Sequence, residues 1–217
     1  MTGTKILPSN RRKESQNNFN VFTAPPTPEF GLVLKLQPIL YHLGSCILRS
    51  NMENPKIIYA PHFLATNEPI VFLAGPIQGA EYWQSDAMRL IHSLRPDLVI
   101  ASPRRPVMPD PTFDYDEQVK WESEYLKRAG ENGVILFWLA KEKERIEGRQ
   151  YAQTTRHEIA EWMVKHQYFG SKIAVGIEDG FLGDRYIRHR LATDCPDVKV
   201  HNSLADLCQV AVSKIFS

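Results

Sequence analysis

The chain is expected to be an α/β protein: an open, mostly parallel sheet with helices on both faces. Three observations predict this. From residue 56 onward, apolar runs of strand length alternate with amphipathic stretches of helix length. The runs Pro69-Ile-Val-Phe-Leu-Ala-Gly-Pro76 and Val134-Ile-Leu-Phe-Trp138 are continuously apolar, as strands covered on both faces are. The first of these runs ends in a glycine turn, and carboxylates and arginines follow at the ends of later segments. An open α/β sheet gathers a small-molecule site in that way.

Taken in order, strands are predicted at 56–60, 70–74, 98–101, 133–139, 172–177 and 198–201. Helices are predicted at 80–94, 115–129, 154–167, 184–192 and 203–215. In the first helix Ala87, Leu90, Ile91 and Leu94 form the stripe expected to face the core. The charged stretch Lys141–Arg149 follows a strand and reads either as a plain solvated loop or as a mobile flap. Cys208 lies in the apolar run Leu204–Val212 and is expected to be packed.

Residues 1–30 are polar and proline-rich and cannot bury enough surface to offset their ordering entropy, so disorder is expected there. The basic triplet Arg11-Arg-Lys13 reads as solvated charge or as a targeting signal. A more apolar stretch at 31–50 could form a short helix, and Met52 precedes the start of the α/β pattern. The expected organisation is therefore an extension over 1–51, partly disordered, and an α/β domain over 52–217.

With a net charge of +1, the chain has no global field to draw it to a nucleic acid polymer or a membrane surface. No apolar stretch approaches membrane-spanning length. The 3 cysteines, Cys46, Cys195 and Cys208, have no metal-ligand or CxxC spacing. An odd count without a secretory leader leads us to expect reduced thiols and a soluble, cytoplasmic protein.

Several familiar chemistries are excluded by spacing. Gly75-Pro-Ile-Gln-Gly79 lacks the GxGxxG of a dinucleotide site, and GxxxxGK[ST] is absent. His157-Glu-Ile-Ala-Glu161 ends in a glutamate where the zinc motif HExxH needs its second histidine. What remains is a glycine turn that lets backbone approach a ligand and a set of carboxylates. Thr155-x-x-Glu158 matches a capping box, so Glu158 reads as a helix cap or as a functional carboxylate. In the first turn of a helix it would feel the positive end of the dipole and stay ionised, as attack on an anomeric carbon requires. Trp162 shares its face and reads as core or as a pocket wall. Glu122 lies on a polar–aromatic edge with Trp121, Tyr125 and Ala129; alone it reads as a surface acid, but with Glu158 it suggests the two-carboxylate logic of retaining glycosyl transfer. Arg104 and Arg105 follow a strand and read as surface ion pairs or as a clamp for phosphate or base.

The segments Phe72-Leu-Ala-Gly-Pro-Ile77, Trp83, Pro103-Arg-Arg105, Gln118-Val-Lys-Trp-Glu122, Phe137-Trp138 and Thr155-Arg-His-Glu-Ile159 occur in this order. Together they resemble the nucleoside 2-deoxyribosyltransferase-like family, over about residues 56–215. The resemblance implies a flavodoxin-like fold and cleavage of the N-glycosidic bond of a nucleoside. It makes Glu158 the nucleophile that forms a glycosyl ester and Glu122 the group that activates the base or holds the sugar. It carries Gly75, Pro76, Ile77, Trp83, Arg104, Trp121 and Thr155 over as substrate-binding positions. It implies no metal or organic cofactor, a nucleoside or nucleotide substrate with a free nucleobase as the other partner, and a homo-oligomer. The chain departs from the family pattern at three places. Ala160 replaces a glycine and is expected to tighten backbone packing beside Glu158; Gly130-Glu-Asn-Gly133 replaces a short Ala-Asp approach to the next strand; and residues 140–153 are an insertion.

The expected activity is thus transfer of a (deoxy)ribosyl group between bases. Two alternatives stay open: hydrolysis of a nucleotide 5′-monophosphate by the same nucleophile, and a catalytically silent nucleotide-binding module.

Overall fold

The computed structural model describes residues 56–217. The expected extension over 1–51, its possible helix at 31–50, and the domain start at Met52 lie outside the described residues. Within them six strands form one sheet: β1 (Ile57–Tyr59), β2 (Ile70–Ala74), β3 (Val99–Ser102), β4 (Gly133–Leu139), β5 (Ile173–Ile177) and β6 (Val200–His201). Five helices accompany them: α1 (Trp83–Leu94), α2 (Tyr115–Glu131), α3 (Gln153–Phe169), α4 (Asp184–Asp194) and α5 (Leu204–Ile215). The spatial order is β1-β3-β2-β4-β5-β6 and every pairing is parallel. Without the short edge strand β1, the remaining five have the flavodoxin-like order, which reverses direction between β2 and β4. No helix of the described residues is long and apolar enough to cross a membrane.

The period-2 alternation of the strands decides which core each side chain enters. Phe72, Ala74, Ile135, Phe137, Val175 and Ile177 meet α2, α3 and α4 on one face. Val71, Leu73, Leu136, Trp138 and Ala174 meet α1 and α5 on the other. Both sides of the central strands are therefore dry, which explains their unbroken apolar sequence. Cys208 is fully buried against α1, as its sequence context predicted, with its sulfur 4.0 Å from the Ala87 carbonyl oxygen.

Two features of α1 differ from expectation. The helix begins at Trp83 rather than at residue 80, because Gly79 adopts a left-handed turn (φ 77°) and the Trp83 indole N–H donates back to the Pro76 carbonyl at 2.9 Å. The core stripe is Trp83, Ala87, Met88 and Ile91, while Leu94 is exposed and Leu90 only half-buried. On α2, Asp114 caps the N-terminus by accepting the Glu117 N–H, and Trp121 and Tyr125 pack ring to ring at 4.5 Å. Their polar ends tie down the β1–β2 connection: Trp121 Nε1 donates to the His62 carbonyl (2.7 Å), and Tyr125 Oη accepts the Leu64 N–H (2.7 Å).

Candidate active site

A cavity of about 590 Å³ opens at the carboxyl ends of β2, β3 and β4, where the strand order reverses. That is the place an open α/β sheet offers a ligand. The floor is the turn from Ala74 to Gly79, one wall carries Pro103, Arg104 and Arg105 after β3, and α2 and α3 supply Gln118, Glu122, Thr155 and Glu158. Of the positions singled out in the sequence, Gly75, Pro76, Ile77, Arg104, Glu122, Thr155 and Glu158 come together on this cavity. Trp83 and Trp121 do not line it. Trp83 lies on the α1/α5 side of the sheet and tethers the turn, and Trp121 is completely buried under β2 with its indole N–H bonded to His62. Trp162 is core, not wall. Ala160 is exposed, so it tightens no packing beside Glu158.

Glu158 is not a cap. α3 starts at Gln153 after a left-handed Ala152 (φ 55°), which places Thr155 inside the first turn, buried, and Glu158 in the second. The expectation of an ionised Glu158 held by the helix dipole is therefore overturned. Burial, then the negative charges of Glu122 and Glu161, push its carboxyl up to about 8. Glu158 accepts no hydrogen bond among the described residues. Burial also raises the Glu122 carboxyl, but the Gln118 side chain works against it by donating Nε2–H to Glu122 Oε1 at 2.9 Å. Glu122 and Glu158 thus line the same cavity, and the charge of Glu122 works against ionisation of Glu158.

No family model matches the chain, and no curated protein is significantly similar to it. The chemistry of the site therefore rests on its own geometry.

Residues 140–153 border the cavity, and the segment is tied down near both ends. Lys143 and Glu144 donate their backbone N–H groups to the Gly79 carbonyl (2.8 and 3.1 Å), and Lys143 pairs with Glu81. Tyr151 Oη bonds to the carbonyls of Ala140 and Lys141 at 2.7 and 3.0 Å. The stretch expected as a plain loop or a flap is thus a strap pinned to the β2–α1 turn. Arg104 lies over the Tyr82 ring, with Nη1 directed at the Ile77 and Glu81 carbonyls (3.2 and 3.5 Å), so it buttresses that turn from the other side. Arg105 is buried and bonded to Asp110 (2.6 Å), whose carboxyl it holds down at about 2 with help from Thr112. Gln118, Tyr151 and the rim aromatics Phe113 and Tyr115 line the cavity, yet sequence reasoning assigned them no role. For Gln118 a signal existed, since its four-residue spacing from Glu122 places an amide and a carboxylate on one helix face. Among the described residues no cluster of three or more His, Cys, Asp or Glu side chains converges as a metal site requires.

Proposed function

We propose that the protein cleaves the N-glycosidic bond of a (deoxy)nucleoside through a glycosyl ester on Glu158 and passes the sugar to a second base. The observation that carries this reading is the presence of two partly buried carboxyl groups, Glu122 and Glu158, on one cavity at the strand reversal, both raised by burial; in this reading the pair shares one proton. One proton is the number the reaction needs. As a Glu158 oxygen bonds to the anomeric carbon, the carbon–nitrogen bond breaks and its electron pair stays on the base. The Glu158 proton passes to Glu122 and on to the departing nitrogen, so a neutral nucleoside and a carboxylic acid become an ester and a neutral base. The acceptor base reverses each step, returning its N–H proton to the pair, and two displacements leave the sugar with its original configuration. Backbone of the Gly75–Gly79 turn would approach the sugar, with Phe113 and Tyr115 at the mouth offering flat apolar surface to the base.

An uncharged substrate suits this cavity better than a 5′-monophosphate. Besides the two central acids, Glu142 and Glu144 line it, while Arg105 is bound to Asp110 and Arg104 faces carbonyls. Arg149 is left as the cavity-lining cation with no bond to another described side chain. The test is chromatography after incubation with deoxynucleosides, ribonucleosides and their 5′-monophosphates, with and without a free base. We expect a new nucleoside that forms only when the acceptor base is present. Release of base from monophosphates alone would replace the transferase reading by hydrolysis, and binding without turnover would leave a silent nucleotide-binding module.

A further inference from the structure

Gln118 sits between two groups whose hydrogen-bonding character is fixed. Arg105 Nε can only donate, and it lies 3.2 Å from Gln118 Oε1. The Pro103 carbonyl can only accept, and it lies 2.9 Å from Gln118 Nε2. The amide therefore has one orientation, with its oxygen toward Arg105 and its nitrogen toward Pro103. Arg105 is itself held by Asp110, so the chain Asp110–Arg105–Gln118 is anchored at its far end. Gln118 and Arg105 are both buried, with 7% and 4% of their surface exposed, so neither side chain is free to swing away. The near end of the chain is the second Nε2–H, aimed at Glu122 Oε1 at 2.9 Å.

A donor fixed in this way distinguishes the two carboxyl groups. A charge-assisted bond favours the ionised acceptor, and Glu122 receives one whereas Glu158 receives none among the described residues. The other charged or titratable groups on the cavity, Arg104, Arg105, Tyr115, Glu142, Glu144, Arg149 and Tyr151, make no hydrogen bond to either carboxyl group. From α3, Glu161 adds negative charge on the Glu158 side. We propose that Gln118 is a positioning residue that decides which carboxyl group holds the shared proton: it keeps Glu122 ionised as the proton acceptor and leaves the proton on Glu158. This rests on the proposed pairing of Glu122 and Glu158 and assigns a resting state to each.

The experiment is a carbon-13 NMR titration of glutamate carboxyl carbons in the full chain, with Glu122→Gln and Glu158→Gln used for assignment. In the unsubstituted protein Glu122 is expected to ionise first and Glu158 last; the opposite order overturns the proposal. Gln118→Leu removes the donor and is expected to raise the proton affinity of Glu122 by about 10- to 100-fold. An unchanged Glu122 midpoint in that variant overturns the proposal. Should Gln118→Leu fail to fold, Gln118→Met keeps the length and adds no charge while removing the donor, and the same rise is expected. A purely structural glutamine would leave the order of ionisation alone. Because the titration needs no turnover, it stands even if no glycosidic activity is found. Conversely, turnover with the ionisation order reversed would remove the role of Gln118 and keep the enzyme.

Discussion

A Cβ on Gly75 would lie 2.3 Å from the carbonyl oxygen of Trp138 in β4, far inside contact distance. The same atom would meet the Trp83 ring at 2.7 Å, and Gly75 has φ 157°, a conformation that side chains rarely adopt. The end of β2 therefore approaches β4 as closely as it does because residue 75 has no side chain. Gly75→Ala is expected to destabilise the domain by roughly 1–3 kcal/mol through steric strain and to widen the cavity floor. Urea denaturation measures the first effect; an unchanged midpoint would show that the strand ends can shift freely.

Glu158→Gln removes the attacking oxygen while nearly preserving volume. If Glu158 forms the ester, turnover should fall by roughly 10³-fold or more, as read by base release. Near-normal turnover in this variant would remove Glu158 from the mechanism. No cap is lost, since the helix starts five residues earlier, so the fold should tolerate the change.

The same carboxyl group links stability to pH. Its ordinary value is 4.5 and folding pushes it up to about 8, so between these values the native state holds a proton that the unfolded chain has lost. Its contribution is greatest below the lower value and declines as pH rises toward the upper one. Denaturant midpoints at pH 5 and pH 8 should differ more in the unsubstituted protein than in Glu158→Gln. Equal differences would mean that Glu158 titrates as an exposed acid.

Catalysis that uses one shared proton needs the singly protonated pair. kcat/KM is then expected to fall as pH rises past about 8, where the pair loses its second proton. A profile that stays flat to pH 9.5 would contradict the shared-proton scheme.

Tyr151→Phe deletes the hydroxyl that holds the strap to the Ala140 and Lys141 carbonyls. The net cost should be about 1 kcal/mol, with faster proteolytic cleavage within 141–150. If water is excluded by the strap, the ratio of hydrolysis to base exchange should rise as well. Unchanged proteolysis would indicate that the Gly79 contacts alone secure the segment.

The sequence by itself determined the α/β class and the chain order of strands and helices, while the spatial order of the strands came from the fold. Strand runs at 70–74 and 133–139 are apolar at every position because both faces are covered, and that pattern is visible without coordinates. The same holds for the glycine turn after β2 and for the presence of Glu122 and Glu158 on successive helices, whereas their sharing one face of the sheet came from the fold. What the tertiary structure decided is which side chains share a space and what that space does to them. Trp83 and Trp121 were expected as ligand contacts from the resemblance alone; only packing showed each indole N–H tied to a backbone carbonyl. Thr155 and Glu158 fit a capping pattern because capping is local, but the left-handed Ala152 started the helix earlier than that pattern allowed. The charge state of Glu158 could not be read locally either. It depends on burial and on a carboxyl group 36 residues away in the chain, Glu122, brought to the same cavity by the crossover from α2 through β4 to α3. Local interactions are written in neighbouring residues, whereas desolvation and facing charges arise only when the sheet brings distant segments to one edge.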